Sequence, residues 1–482
     1  MSLGTPQLRP GDLVELEVSG LAFGGRGIAR LDDFVIFVAG AVPGDAVRAR
    51  VTKYKRRYAE AKVEEILGPS PRRRPARCSS FGSCGGCVWQ NLDYGAQLEY
   101  KAAQVRESLE HLGGLKDFTL APIVGMAEPW HYRNRADFSV GHSPQGAVIG
   151  FRPAGRWDSV LPLSSCHLVH PEIEAVRATV ESWLRESCLP GWDPRTHTGY
   201  VRHLLVRTAQ LGKEVLVSLV TAPHPGGLAA DPTPLPGASD LVARLRAAHP
   251  HLVGILHAVN RAPAELSFGL ESTVLWGRPY LLEKVAGLTL KVSVDAFFQT
   301  NTLMAHVLYG LVAEAVERAS PRAPVVWDLY SGVGSIALAV ASRAQMVVAI
   351  EENPRAVADA RENARLNGVK NVFFLEGDVA KVLRELAAGR SSLPQQATCP
   401  NVIIVDPPRA GLSNKALARL AEIGAPSLVY VSCNPTTMAP NVAYLAELGY
   451  RLRHVTPVDM FPHTPHVEAV AVLELKPTAP SA

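Results

Sequence analysis

Cys433 stands in the segment YVSCNPTTM, directly before Asn434 and Pro435. The apolar run ahead of it has the character of a strand, and the proline stops regular extension, so the thiol leaves a sheet where a helix begins. The amide end of that helix lowers a thiol pKa, which raises the thiolate fraction and makes the sulfur a nucleophile. A single cysteine is more often an inert core residue, but these neighbours argue against that here. Asp406 occupies the matching place in NVIIVDPPRAG, a polar residue leaving a strand next to two prolines.

A second constellation lies upstream. The run VVWDL passes directly into YSGVGSIAL, a glycine turn opening a helix, where the backbone can approach a ligand closely and unpaired amides face it. Nineteen residues beyond Gly332 the next strand ends in Glu351, where a carboxylate can accept both hydroxyls of a ribose. A glycine turn alone is weak, and Glu351 alone could cap the helix that begins at NPRAV. The two together point to a cofactor containing adenosine.

Three further cysteines, Cys78, Cys84 and Cys87, fall in CSSFGSCGGCVWQ, and Cys166 follows in SSCHLVHP. Four thiolates suit either tetrahedral zinc or an iron-sulfur cluster, and spacing alone leaves both open; Gly85 and Gly86 allow a tight wrap and tilt the choice toward iron. The chain has seven cysteines and begins with no apolar leader, so ligands, nucleophiles or core residues are expected in place of disulfides.

The elements that must position these residues follow from periodicity. From about Pro324 the chain alternates apolar strands with helical spacing, the pattern of a doubly wound parallel sheet whose sites lie at the carboxyl ends of its strands. From Pro10 to Gly68 it shows period-two alternation broken at GG, DD and PGD, which predicts a closed barrel of five strands of the kind that presents nucleic acid to one face. Between them, RADFSVGH, RHLLVRTAQ and EVLVSLV predict an antiparallel sheet. PHPGGLAADPTPLPGASD, with five prolines, is a loop without chemistry.

At 482 residues two or three domains are expected, and no run is apolar enough to span a bilayer, so membrane partners are excluded and the cytoplasm is the expected location. The net charge of +4 hides an asymmetry: between Arg48 and Arg77 eleven Lys or Arg face three Glu. KYKRRY and PRRRPAR are either a solvated face or a phosphate footprint, and the second alternative makes Arg72, Arg73 and Arg74 contacts to nucleic acid.

Taken together, the barrel, CSSFGSCGGCVWQ, HYRNRADFSV, DAFFQTN, DLYSGVGSIAL, VDPPRAG, YVSCNPTTM and FPHTPHVEAVAVL closely resemble the RNA uracil-5 methyltransferase family, especially its iron-sulfur bacterial 23S ribosomal RNA members. Only the loop from Pro223 to Asp240 and the tail PTAPSA lie outside the likeness. The resemblance implies a multidomain chain: an OB-like TRAM barrel over 5–68, a central α+β domain over 69–305 carrying the cluster cysteines, and a Rossmann-like α/β methyltransferase domain over 306–476. It implies S-adenosylmethionine held by Gln299, Tyr330, Ser335, Glu351, Asp378 and Asp406, although some relatives carry Asn where this chain has Ser335 and Asp378. A 4Fe-4S cluster would sit on Cys78, Cys84, Cys87 and Cys166. Cys433 would be the nucleophile and Glu468, at the start of the last predicted strand, the proton acceptor. The expected partner is 23S ribosomal RNA and the expected state a monomer.

Such chemistry requires these residue types. Carbon 5 of uracil is a poor nucleophile, so a thiolate first adds to carbon 6 and a base later removes the carbon 5 proton. The target base is stacked in structured RNA and must be flipped out. Three rivals compete: the same reaction on transfer RNA, a noncatalytic RNA-binding assembly factor with a methyltransferase fold, and a radical enzyme built on the cluster. Cys433 and Glu468 argue against the second, and a fourth cysteine ligand argues against the third.

Overall fold

A computed structural model describes residues 8–143, 146–223, 235–320, 322–387 and 395–477. The N-terminal strands Leu13–Leu21, Gly27–Leu31, Phe34–Ala39, Ala46–Lys55 and Tyr58–Gly68 close into a five-stranded barrel. Alternation decides this closure: in Phe34–Ala39 every second residue is buried, and Ile36 and Val38 meet Leu16, Val18, Val47 and Ala59 at the barrel centre. Asp32 and Asp33 both adopt positive φ, which fits a two-residue hairpin to the twist of its strands.

The next sheet has seven strands, in the order Ser272–Gly277, Leu252–Val259, Val215–Thr221, Val201–Thr208, Arg135–Ser143, Gly146–Phe151 and Leu161–Pro162. It is not wholly antiparallel as expected. Val215–Thr221 and Leu252–Val259 run parallel, because the chain between them returns through the helix Ala238–Ala248. The proline-rich stretch expected as a loop lies outside the described residues over 224–234.

The third sheet has eight strands. Its order is Val372–Glu376, Met346–Glu351, Val325–Leu329, Val402–Val405, Ser427–Ser432, Glu468–Leu475, Tyr450–Val458 and Thr119–Leu120. The first five are parallel, and Glu468–Leu475 is antiparallel to both of its neighbours. The strand order reverses at Val325–Leu329, where helices leave to opposite faces and a crevice opens at the carboxyl edge. This sheet draws on chain well outside 306–476: Thr119–Leu120 forms its edge, and Val105 and Leu109 join the core beneath Ser427–Ser432 and Tyr450–Val458. Among the described residues no helix is long and apolar enough to cross a membrane.

Candidate functional site

The crevice is lined from three strand ends. After Val325–Leu329 the chain turns through Tyr330 at φ +66° and Gly334 at φ +81° into the helix Ser335–Ala341. Gly334 is required twice over, since a Cβ there would also come within 3.2 Å of Ala360 and the Phe374 ring. The next strand ends at Glu351, whose carboxylate accepts from the Gly332 amide at 3.0 Å and the Asn353 amide at 2.9 Å, fixing the turn and leaving further lone pairs toward the crevice. Asp378, two residues beyond the neighbouring strand Val372–Glu376, is exposed and accepts from the Lys381 amide at 2.8 Å. Ser335 is buried beside the Tyr309 hydroxyl, which bonds to it. Gln299 is buried at the entrance to the helix Thr302–Ala319, its carbonyl accepting from Asn134 at 2.9 Å.

At the other side of the reversal Asp406 follows Val402–Val405, Cys433 follows Ser427–Ser432, and Glu468 opens Glu468–Leu475. The ladder between the last two of these strands ends with Ser432 across from Ala469; Cys433 follows Ser432 and Glu468 precedes Ala469. Burial, then the charge of Asp406, pushes the Glu468 carboxyl up to about 8, with Arg409 working the other way. Burial raises Asp406 to about 7. The thiol of Cys433 is not lowered by the following helix, contrary to the sequence expectation. Burial and the Glu468 and Asp406 carboxylates push it up to about 11, and Arg409 only partly offsets them.

Sequence reasoning missed three residues here. Asp328 is fully buried with neither carboxylate oxygen hydrogen-bonded in ordinary geometry, and burial with Asp406 beside it holds its pKa well above the carboxylate range. One polar residue inside the apolar run VVWDL was the available signal. Arg409 faces both Cys433 and Glu468, bonds to His466 Nδ1 at 3.1 Å, and has its carbonyl fixed by Asn434 and Thr437. Phe297, two residues before Gln299, is 73% exposed, an aromatic face presented to solvent.

The four cysteines of the second constellation come together around Arg133. Cys84, Cys87 and Cys166 all act on its buried guanidinium or are acted on by it, Cys78 bears on Cys84, and Arg133 Nε has no hydrogen-bond partner. Burial pushes the Cys87 thiol up to about 12. Among the described residues no three His, Cys, Asp or Glu are close enough to hold a single metal ion. A buried cation with an orphaned donor among cysteines fits an anionic group that those cysteines would hold.

The basic stretch is mostly paired. Arg48 bonds to Glu15 and Glu65, Arg50 to Glu64, Arg72 to Glu99 and Arg74 to Asp93. Arg73 clamps the buried Asp45 at 2.5 Å, so it fastens the linker to the barrel and does not face a partner. Lys55, Arg56, Arg57 and Lys62 carry no ion pair among the described residues.

A doubly wound sheet with a glycine turn, an acidic second strand end and a thiol-carboxyl pair across the strand-order reversal defines the methyltransferase class. Residues 7–63 match the TRAM domain family and residues 284–476 the family described as tRNA (Uracil-5-)-methyltransferase. An uncharacterized RNA methyltransferase of Halalkalibacterium halodurans is 36% identical over 476 residues, covering 99% of this chain and 100% of its own. One from Clostridium tetani is 34% identical, covering 98% and 99%. The crystal structure of Pyrococcus abyssi tRNA (uracil-54, C5)-methyltransferase with S-adenosyl-L-homocysteine superposes with a TM-score of 0.74 at 28% identity, over 95% of this chain and 99% of that one. The chain belongs to the RNA uracil-5-methyltransferase family with an N-terminal TRAM domain.

Proposed function

We propose that this protein transfers a methyl group from S-adenosylmethionine to carbon 5 of a uridine in RNA, with Cys433 as nucleophile and Glu468 as proton acceptor. The observation that carries it is the placing of these two side chains on adjacent strand ends, where a thiol and a carboxyl can reach opposite ends of one double bond. The Cys433 thiolate adds to carbon 6, and the resulting enolate attacks the sulfonium methyl, whose bond to sulfur breaks to leave S-adenosylhomocysteine. Glu468 takes the carbon 5 proton, and the bond between carbon 6 and sulfur then breaks to return the thiolate. Glu351 takes the ribose hydroxyls of the donor. Gln299, Tyr330, Ser335, Asp378 and Asp406 line the remainder of its site, and the sulfonium charge offsets the acidic crevice. Phe297 offers a stacking face for the flipped base.

Cys78, Cys84, Cys87 and Cys166 hold a 4Fe-4S cluster in this reading, supported by Cys84, Cys87 and Cys166 each interacting with Arg133 and by Cys78 interacting with Cys84. When bound, such a group is a covalent tie among loops, and no step of methyl transfer passes through it.

The substrate we favour is 23S ribosomal RNA, on the resemblance of the cysteine motif to that branch. Transfer RNA is the second reading, favoured by the likeness to the Pyrococcus abyssi enzyme. Nucleoside mass spectrometry of both RNAs from cells with and without the protein decides: loss of one 5-methyluridine from 23S RNA is expected, and loss from transfer RNA alone replaces that substrate with the second. Loss from neither overturns the activity.

A further inference from the structure

The loop 459–467 joins two paired strands, Tyr450–Val458 and Glu468–Leu475, so its shape sets where Glu468 begins. It is held with unusual completeness. Lys101 Nζ meets Asp459 at 2.6 Å and the Phe461 carbonyl at 3.0 Å, and the Tyr94 hydroxyl donates to Asp459 at 2.9 Å. Asn301 donates to the Met460 carbonyl and Tyr132 to the Pro462 carbonyl. At the centre is His463, buried and at φ +64°, a left-handed conformation that its hydrogen bonds and packing hold in place.

Those surroundings are specific. Gln97 accepts from the His463 amide at 2.9 Å and lies 3.2 Å from its ring Nδ1. The amides of Val88 and Trp89 both donate to the His463 carbonyl at 3.1 Å. Trp130 stacks on the imidazole at 3.8 Å between centroids, and Trp130 in turn carries Arg77 over its ring and His167 at its edge. Arg77 precedes Cys78, Val88 follows Cys87 and His167 follows Cys166. Flanking residues from three cysteine positions therefore bear on one histidine and its stacking partner.

We propose that His463 is a positioning residue for Glu468, and that the cysteine-bearing loops are the seat that holds it; this rests on the reading of Glu468 as proton acceptor. Order imposed on the cysteine loops passes through Val88, Trp89 and Trp130 to the loop that delivers the carboxyl, while Cys433 and the donor site stand on other strand ends. Loosening the seat therefore slows removal of the carbon 5 proton more than thiol addition or methyl transfer.

The test is a partition between trapped and released product in the full-length protein, incubated with S-adenosylmethionine and uridine RNA and resolved on denaturing gels. His463→Ala and Trp130→Leu are expected to accumulate covalent protein-RNA adduct bearing methylated uridine, at least about tenfold above the parent protein, in the pattern of Glu468→Gln. Trp130→Phe, which keeps the stack, should return the partition to the parent value. Trp130 is half-buried, so Trp130→Leu carries the test should His463→Ala not fold. If Glu468→Gln traps RNA while the foldable seat variants lose adduct and free product in equal proportion, or turn over normally, the positioning role is wrong. If Glu468→Gln traps nothing, the assignment of the base has failed, and this inference falls with it.

Discussion

Cys433 follows Ser432 and Glu468 precedes Ala469, the last pair joining two adjacent antiparallel strands, and the Glu468 carboxylate raises the proton affinity of the Cys433 thiol across the crevice. Both groups hold their protons more tightly than usual in the unliganded protein, although the proposed chemistry needs both ionised. Arg409 is the one cation shown acting on both.

This arrangement sets a pH dependence for turnover. With Glu468 at about 8 and Cys433 at about 11, the competent forms grow as pH rises, so kcat/KM for RNA should increase from pH 6 to pH 9. A steady-state profile that is flat or falls over this range would contradict the assignment. Arg409→Ala should move the rise to higher pH and slow Cys433 alkylation by iodoacetamide at pH 7.5.

Stability carries the opposite sign. The Glu468 carboxyl is raised in the folded state, so its contribution is full below its unfolded value of about 4.5 and is lost as pH rises through about 8. Asp406 behaves likewise up to about 7. The ligand-free protein should therefore lose thermal stability between pH 5 and pH 9. Glu468→Gln should flatten that slope and stabilise the protein above pH 8 by about 1 kcal/mol or more, in thermal melts at matched ionic strength.

Asp328 separates donor binding from folding. It is fully buried beside Asp406 and held protonated by burial and that neighbour, so Asp328→Asn removes a latent negative charge from the crevice at little cost in stability near pH 7. Calorimetry should show weaker S-adenosylmethionine binding, by roughly tenfold, and a smaller loss for S-adenosylhomocysteine, which lacks the sulfonium charge. Equal losses for the two would exclude an electrostatic role.

The basic segment divides into structural and free cations. Burial alone would raise the Asp45 carboxyl, but Arg73 with the Ser70 and Val42 amides holds it below its ordinary value. Arg73→Ala leaves that buried carboxylate short of its partner and should cost about 2–4 kcal/mol in denaturant unfolding. Replacing Lys55, Arg56 and Arg57 by Ala should leave stability unchanged and lower the salt slope of RNA binding by about two. An unchanged slope would assign this hairpin tip to bare solvent.

Protein purified without oxygen should be brown and carry about four irons per chain, and Cys87→Ser should lose colour and metal together. Stoichiometric zinc, or colourless protein with no metal, rules the cluster out.

The sequence by itself determined the elements whose logic is local. Alternation over residues 13–68 dictates a barrel, and the rhythm after Pro324 dictates a doubly wound sheet. A polar residue leaving an apolar strand next to glycine or proline marks an active edge, which is why Glu351, Asp406 and Cys433 are legible in the sequence. Glu468 was not visible in this way and rested on likeness alone, because a carboxylate opening an edge strand is ordinarily solvated. Tertiary structure decided what depends on segments remote in the chain. It made Arg73 of PRRRPAR a clamp on Asp45, built the edge of the third sheet from Thr119–Leu120, and fastened the loop before Glu468 with residues some 360 positions away. It also reversed the expected lowering of the Cys433 pKa. A helix end is read from local sequence, whereas the burial and neighbouring carboxylates that outweigh it exist only once three strand ends have been brought to one crevice.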